Sequence, residues 1–205
     1  MKIAVVGGTG DFGLALAERL VEAGEDVVIG SRDAERAAEK GAEVGARGTA
    51  NEDAVRGVDL VVLAVKWDGT LPTAEALAAA IGETPVLCVA SELRFTKGGV
   101  LPGEDARSIA ERTQDLLQGP VVAGLHSLAA SSLADGKADG DALVCGDDAP
   151  AKELALALAS LVVTGRALDA GPLASARALE GLTAVIVNLN KRYRAHAGVQ
   201  VTGLH

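Results

Sequence analysis

Apolar residues in this chain come in short β-branched bursts, separated by stretches where they recur every three or four positions. Residues 3–6 form the first burst. It runs into a glycine turn, beyond which Leu16, Ala17, Leu20 and Val21 fall on one helical stripe that ends at Gly24. Similar bursts predict strands at 26–30, 47–49, 59–65, 85–89, 121–125, 142–145 and 166–168. Periodicity predicts helices over 73–81, 105–117, 149–162 and about 175–194, and residues 95–103 read as a glycine-rich loop. Alternation of strand and helix is the pattern of right-handed βαβ crossovers. The expected fold is therefore α/β: a Rossmann-like, doubly wound, mainly parallel sheet with a C-terminal helical extension, and ligand at the C-terminal strand ends.

The first turn carries the sharpest chemistry. Gly8, Gly10 and Gly13 have G-x-G-x-x-G spacing between a buried strand and a helix, the arrangement that brings a dinucleotide pyrophosphate onto a helix N-terminus. The amides of Gly10, Asp11 and Phe12 are expected to face the phosphates. About twenty residues on, where NAD-binding chains usually carry an acid for the ribose hydroxyl, this chain has Ser31 and Arg32. A guanidinium and a hydroxyl suit a 2′-phosphate, Arg36 follows one helical turn later, and Thr9 can donate from the loop, so NADP is favoured over NAD. The competing reading makes Ser31 or Asp33 a plain helix cap and Arg32 a solvated charge.

At 205 residues and 49% hydrophobic, the chain can bury a substantial core. The expected division is a nucleotide-binding Rossmann domain over 1–148, with a smaller C-terminal α/β segment over 149–205 that ends in a long helix and packs on the first. Aromatic content of 2% leaves few stacking platforms, and a net charge of −9 opposes nucleic acid and anionic membrane as partners. Cys88 and Cys145 lie in apolar runs and read as reduced, buried thiols of a cytoplasmic protein. No metal-ligand spacing, leader or membrane-spanning run is evident in the sequence.

The other strand ends offer Val65, Lys66 and Trp67, then Ser91, then His126, Ser127, Leu128, Ala129 and Ala130. A nucleophile or acid–base pair among them is conceivable, but no orienting acid is evident, and residues packed around a nicotinamide are the better reading. Trp67, the single tryptophan, is as well suited to covering a ring as to filling the core. Short-chain dehydrogenase chemistry is excluded, because it needs a Tyr-x-x-x-Lys pair and the sole tyrosine, Tyr193, is followed four positions later by Ala197.

Several further stretches carry a resemblance. They are Gly7 to Gly13, Gly30-Ser31-Arg32, Asn51-Glu52-Asp53-Ala54, Leu125-His126, Val144-Cys145-Gly146-Asp147-Asp148, the run from Leu168 to Leu173, and Glu180-Gly181-Leu182-Thr183. Together they make the whole chain resemble the NADP-dependent reductases of the deazaflavin coenzyme F420. The resemblance implies that Thr9, Ser31, Arg32 and the cation at position 36 hold the 2′-phosphate. It also implies that the 126–130 loop sets the nicotinamide, with F420 stacked over it. Direct hydride transfer between two such carriers needs no catalytic side chain. In the last helix, Leu179, Leu182, Ile186, Leu189 and Tyr193 form one apolar stripe, while Ala184, Val185 and Val187 lie off it, which predicts a homodimer interface beside the site. The alternatives are an NADP-dependent reductase of an imine or β-hydroxyacid and a non-catalytic NADP-sensing regulator.

Overall fold

The structure, a computed structural model, describes residues 1–204. In chain order its elements are β1 (Lys2–Val6), α1 (Asp11–Glu22), β2 (Asp26–Ser31), α2 (Ala34–Val44), β3 (Arg47–Ala50), α3 (Asn51–Ala54), β4 (Leu60–Leu63), α4 (Trp67–Ile81) and β5 (Val86–Cys88). Then come β6 (Leu93–Thr96), β7 (Gly99–Pro102), α5 (Ile109–Gln114), β8 (Val121–Gly124), α6 (Ala130–Ala134), β9 (Ala142–Gly146), α7 (Ala149–Val162), β10 (Ala167–Asp169) and, after a 3-10 turn at Leu173–Ser175, α8 (Ala176–Tyr193). Among the described residues the main sheet has eight strands in the order β10-β9-β8-β5-β4-β1-β2-β3.

Period-2 alternation divides the core. In β1, Ile3 and Val5 pack with Leu16, Leu20 and Leu158 on one face, while Ala4 and Val6 pack with Leu77, Ile81, Ile109 and Leu179 on the other. A strand covered on both sides needs a continuous apolar run, which is why 3–6 shows no polar interruption. Strand order reverses at β1, whose neighbours are β2 and β4, and the crevice above its C-terminal end is where an open α/β sheet binds ligand.

Four elements differ from the sequence reading. β9 runs antiparallel to β8, pairing Ala123 with Cys145, because the intervening chain stays at the C-terminal edge instead of crossing back under the sheet. Residues 95–103 are not a loop: β6 and β7 form an antiparallel hairpin whose turn uses Gly99 at φ 133, with Thr96 Oγ1 donating to the Gly99 carbonyl. α5 is shorter than 105–117. It starts at a capping box in which Ser108 accepts from the Glu111 amide and Glu111 from the Ser108 amide, and Gln114 ends it by turning its side chain to the Val121 amide. α4 starts at Trp67, six residues before the expected 73, and runs through Pro72 in its second turn.

Candidate active site

The glycine turn is built by backbone contact. Gly7 adopts φ +81, and a Cβ there would lie 2.8 Å from the Ala64 carbonyl, so the ends of β1 and β4 touch. A Cβ on Gly13 would come within 2.6 Å of the Gly7 oxygen, and one on Gly8 within 2.8 Å of Ile29 Cγ2. Gly10 is different. Its Cβ would have only the Gly7 oxygen nearby, at 3.5 Å, and would otherwise project into open space above α1. The Gly10 amide does not face that space as expected, since it closes the turn onto the Gly7 carbonyl at 3.0 Å. The first-turn amides of Asp11 and Phe12 remain, and no side chain accepts from them among the described residues.

A cleft of about 700 Å³ opens there, lined by Thr9, Gly10, Ser31, Arg32 and Arg36 on one side and Val65 and Lys66 on the other. The sequence-predicted phosphate group is thus brought together. Asp33 caps α2 by accepting from the Arg36 amide at 3.0 Å, which accounts for the acid while leaving both guanidiniums exposed and without an ion-pair partner among the described residues. Asn51, quoted only as a carrier of resemblance, also lines this cleft. Its Oδ1 is buried without a hydrogen bond beside Gly30, where a Cβ would stand 2.8 Å from it.

A second cleft of about 510 Å³ continues from the first, and Ala64, Val65, Lys66 and Asp68 line both. Its remaining walls come from Phe12, Trp67, Ser91, Phe95, His126, Leu128 and Thr183. Leu125 holds a left-handed φ of 63, uncommon for a branched side chain, and the turn from Leu125 to Leu128 aims His126 inward. His126 is 5% exposed, and neither ring nitrogen has a hydrogen-bond partner. Burial holds its pKa down, at about 4, against a weaker opposing pull from the Ala90 carbonyl, which lies near the ring without meeting hydrogen-bond geometry. The ring is neutral at physiological pH, with one donor and one acceptor unused. Ser127 turns away from the cleft and donates to the Asp141 carbonyl at 3.2 Å. Ala129 is the N-cap of α6, and Ala130, with Asp11, faces a separate depression beside α1.

Comparison with known proteins places this arrangement. A model of the family described as NADP oxidoreductase, coenzyme F420-dependent, matches residues 2–90. The F420-dependent NADP reductase of Methanothermobacter marburgensis is 36% identical over an alignment spanning 100% of this chain and 99% of the relative. The chain belongs to the F420-dependent NADP reductase family. Another member, from Methanocaldococcus jannaschii, is 32% identical over 100% of this chain and 99% of its own length. A solved structure from Arthrobacter sp. FB24, assigned as an F420-dependent NADP-reductase, superposes with a TM-score of 0.85 at 28% identity, covering 99% of this chain and 100% of that one.

In this F420-dependent NADP reductase family member the sequence reading missed Thr183, which α8 carries into the second cleft. Its hydroxyl donates to the His126 carbonyl at 2.9 Å and lies 2.8 Å from Ser91 Oγ, tying two strand-end segments to α8. One turn earlier, Glu180 is buried and accepts from the Ile109 amide at 2.6 Å; burial raises its pKa to about 7. The signal for both was in the quoted Glu180-Gly181-Leu182-Thr183 run, two polar residues spaced to share the face of α8 that carries Leu179 into the core.

Proposed function

We propose that this chain transfers a hydride between NADP(H) in the first cleft and coenzyme F420 in the second. The observation that carries the reading is the shared wall at Ala64 to Lys66, which brings two ligand-sized clefts edge to edge at the strand-order reversal. When both are bound, the nicotinamide C4 and the deazaflavin C5 supply the chemistry between them, NADPH giving a hydride and the deazaflavin taking it up with one proton.

The protein's part is to hold, orient and dry. The fit to NADP rests on the open space above Gly10, the uncapped Asp11 and Phe12 amides for the pyrophosphate, and Thr9, Ser31, Arg32 and Arg36 for the 2′-phosphate. The fit of the second cleft rests on His126, whose unpaired ring nitrogens suit a heterocycle bearing both donors and acceptors, and on the largely apolar remainder. Positioning of this kind accounts for much of an enzyme's rate without a side-chain catalyst. Burial pushes both the Cys88 and Cys145 thiols up to about 12, so neither supplies a nucleophile. We further propose that residues 1–148 carry the NADP site with 149–205 as a smaller packed segment, that the protein works in the cytoplasm, and that it is a homodimer through α8. Among the described residues no helix is long and apolar enough to cross a membrane.

Mixing the protein with NADPH and oxidised F420 and following the visible absorbance of the deazaflavin tests the reading. Bleaching with NADPH and little with NADH is expected. No bleaching, or equal bleaching with NADH, overturns the assignment of the two clefts or of the phosphate grip, respectively.

A further inference from the structure

The chain beyond α8 doubles back onto α6 and the start of β9. Arg194, with a left-handed φ of 53, reverses its direction, and the Ala197 amide donates to Asn190 Oδ1 at 2.6 Å. His196 Nδ1 then lies 2.7 Å from Ser131 Oγ on α6. Further on, the tail lies alongside residues 139–141 so closely that a Cβ on Gly198 would stand 2.1 Å from the Asp139 carbonyl and one on Gly140 2.5 Å from that of Val199.

Asp141 is the point where these strands of chain are tied. Its amide donates to the Val199 carbonyl at 2.6 Å, and its carboxylate accepts from the Val201 amide at 2.8 Å, the Arg166 amide at 2.8 Å and Arg166 Nη2 at 3.0 Å. Arg166 also donates to the Val201 carbonyl. The carbonyl of Asp141 receives the Ser127 hydroxyl. Ser127 stands between His126 and Leu128, both of which line the second cleft, while no residue of the tail lines either cleft. Asp141 is 2% exposed, and its bonds to Arg166 and Val201 hold its pKa at about 2, so the anchor stays charged at any working pH.

We propose that Asp141 is a positioning residue: it passes the grip of the 195–201 tail through Ser127 to the His126–Leu128 turn and fixes where the nicotinamide and its partner ring meet. This rests on the hydride-transfer reading above. Loosening the tie should leave the 2′-phosphate grip, at the other end of the site, untouched. The expected signature is a fall in kcat of about ten-fold with KM for NADPH within about two-fold, because misplacement by a fraction of an ångström costs rate more than affinity.

The test compares Ser127→Ala, Asp141→Ala and the double variant in the full chain, with removal of residues 195–205 as a third route. If both act through one tie, each single change lowers kcat and the double change lowers it no further than the larger single effect. Multiplying losses, or an unchanged kcat in Ser127→Ala, overturn the proposal. Ser127→Ala removes a single hydroxyl, so it remains informative should Asp141→Ala fail to fold. A second readout needs no F420: emission of bound NADPH should shift toward that of free NADPH in the variants at unchanged Kd. That shift supports the tie even if the wild-type protein fails to reduce F420, and its absence with an inactive wild type overturns it.

Discussion

Single atoms decide what each glycine of the first turn is for. Gly13→Ala drives a methyl into backbone 2.6 Å away and is expected to destabilise the fold by about 2 kcal/mol. Gly10→Ala meets only ordinary contact at 3.5 Å, so it should fold within about 1 kcal/mol of wild type yet lose at least about ten-fold in NADPH affinity, because its methyl stands where the pyrophosphate must lie. Thermal melts alongside NADPH titration distinguish the two. A second residue-scale effect is hidden in wild type. His126 has its pKa lowered from 6.5 to about 4 and so loses stability as pH falls through that window; Glu180 has its pKa raised from 4.5 to about 7 and loses stability as pH rises through nearly the same one. Each is worth about 3 kcal/mol, of opposite sign. Urea melts at a series of pH values should therefore show Glu180→Gln weakening from pH 6.5 down to 4, and His126→Asn strengthening from pH 7 down to 4.5.

Elements were legible where one segment carried its own signal. Residues 3–6, the glycine turn and the α1 stripe are local, as are Ser31, Arg32 and Arg36, and the cleft brings them together as expected. The 93–102 hairpin was not legible, because Gly98 and Gly99 mark a turn and a loop alike, and what decides between them lies far away in sequence. Asn188 on α8 accepts from the Val100 amide at 2.8 Å and donates to the Val100 carbonyl at 2.7 Å, pairing the edge of β7 with a side chain. Thr183 escaped notice for the same reason, since its partner Ser91 is 92 residues distant. Asn188→Ala should unpin the hairpin while sparing the sheet. Amide exchange over 93–102 is expected to speed up, at a global cost of about 1–2 kcal/mol, and equal protection in both proteins would contradict the pinning.

At the scale of the molecule, α8 has two faces to account for. Leu179, Ala184 and Ile186 are buried within the chain, whereas Val185, Leu189 and Tyr193 are exposed at successive four-residue steps. That apolar row is the seam proposed for the homodimer, and Val185→Asp should convert a dimer to a monomer in sedimentation without loss of helix; a monomeric wild type would end that proposal. The common wall of the two clefts bears on isotopes. If donor and acceptor rings meet across Ala64 to Lys66 with nothing between, deuterium at the transferring position of NADPH should be recovered undiluted on the accepting carbon of the reduced deazaflavin, and carrying out the reaction in heavy water should leave that accepting carbon unlabelled.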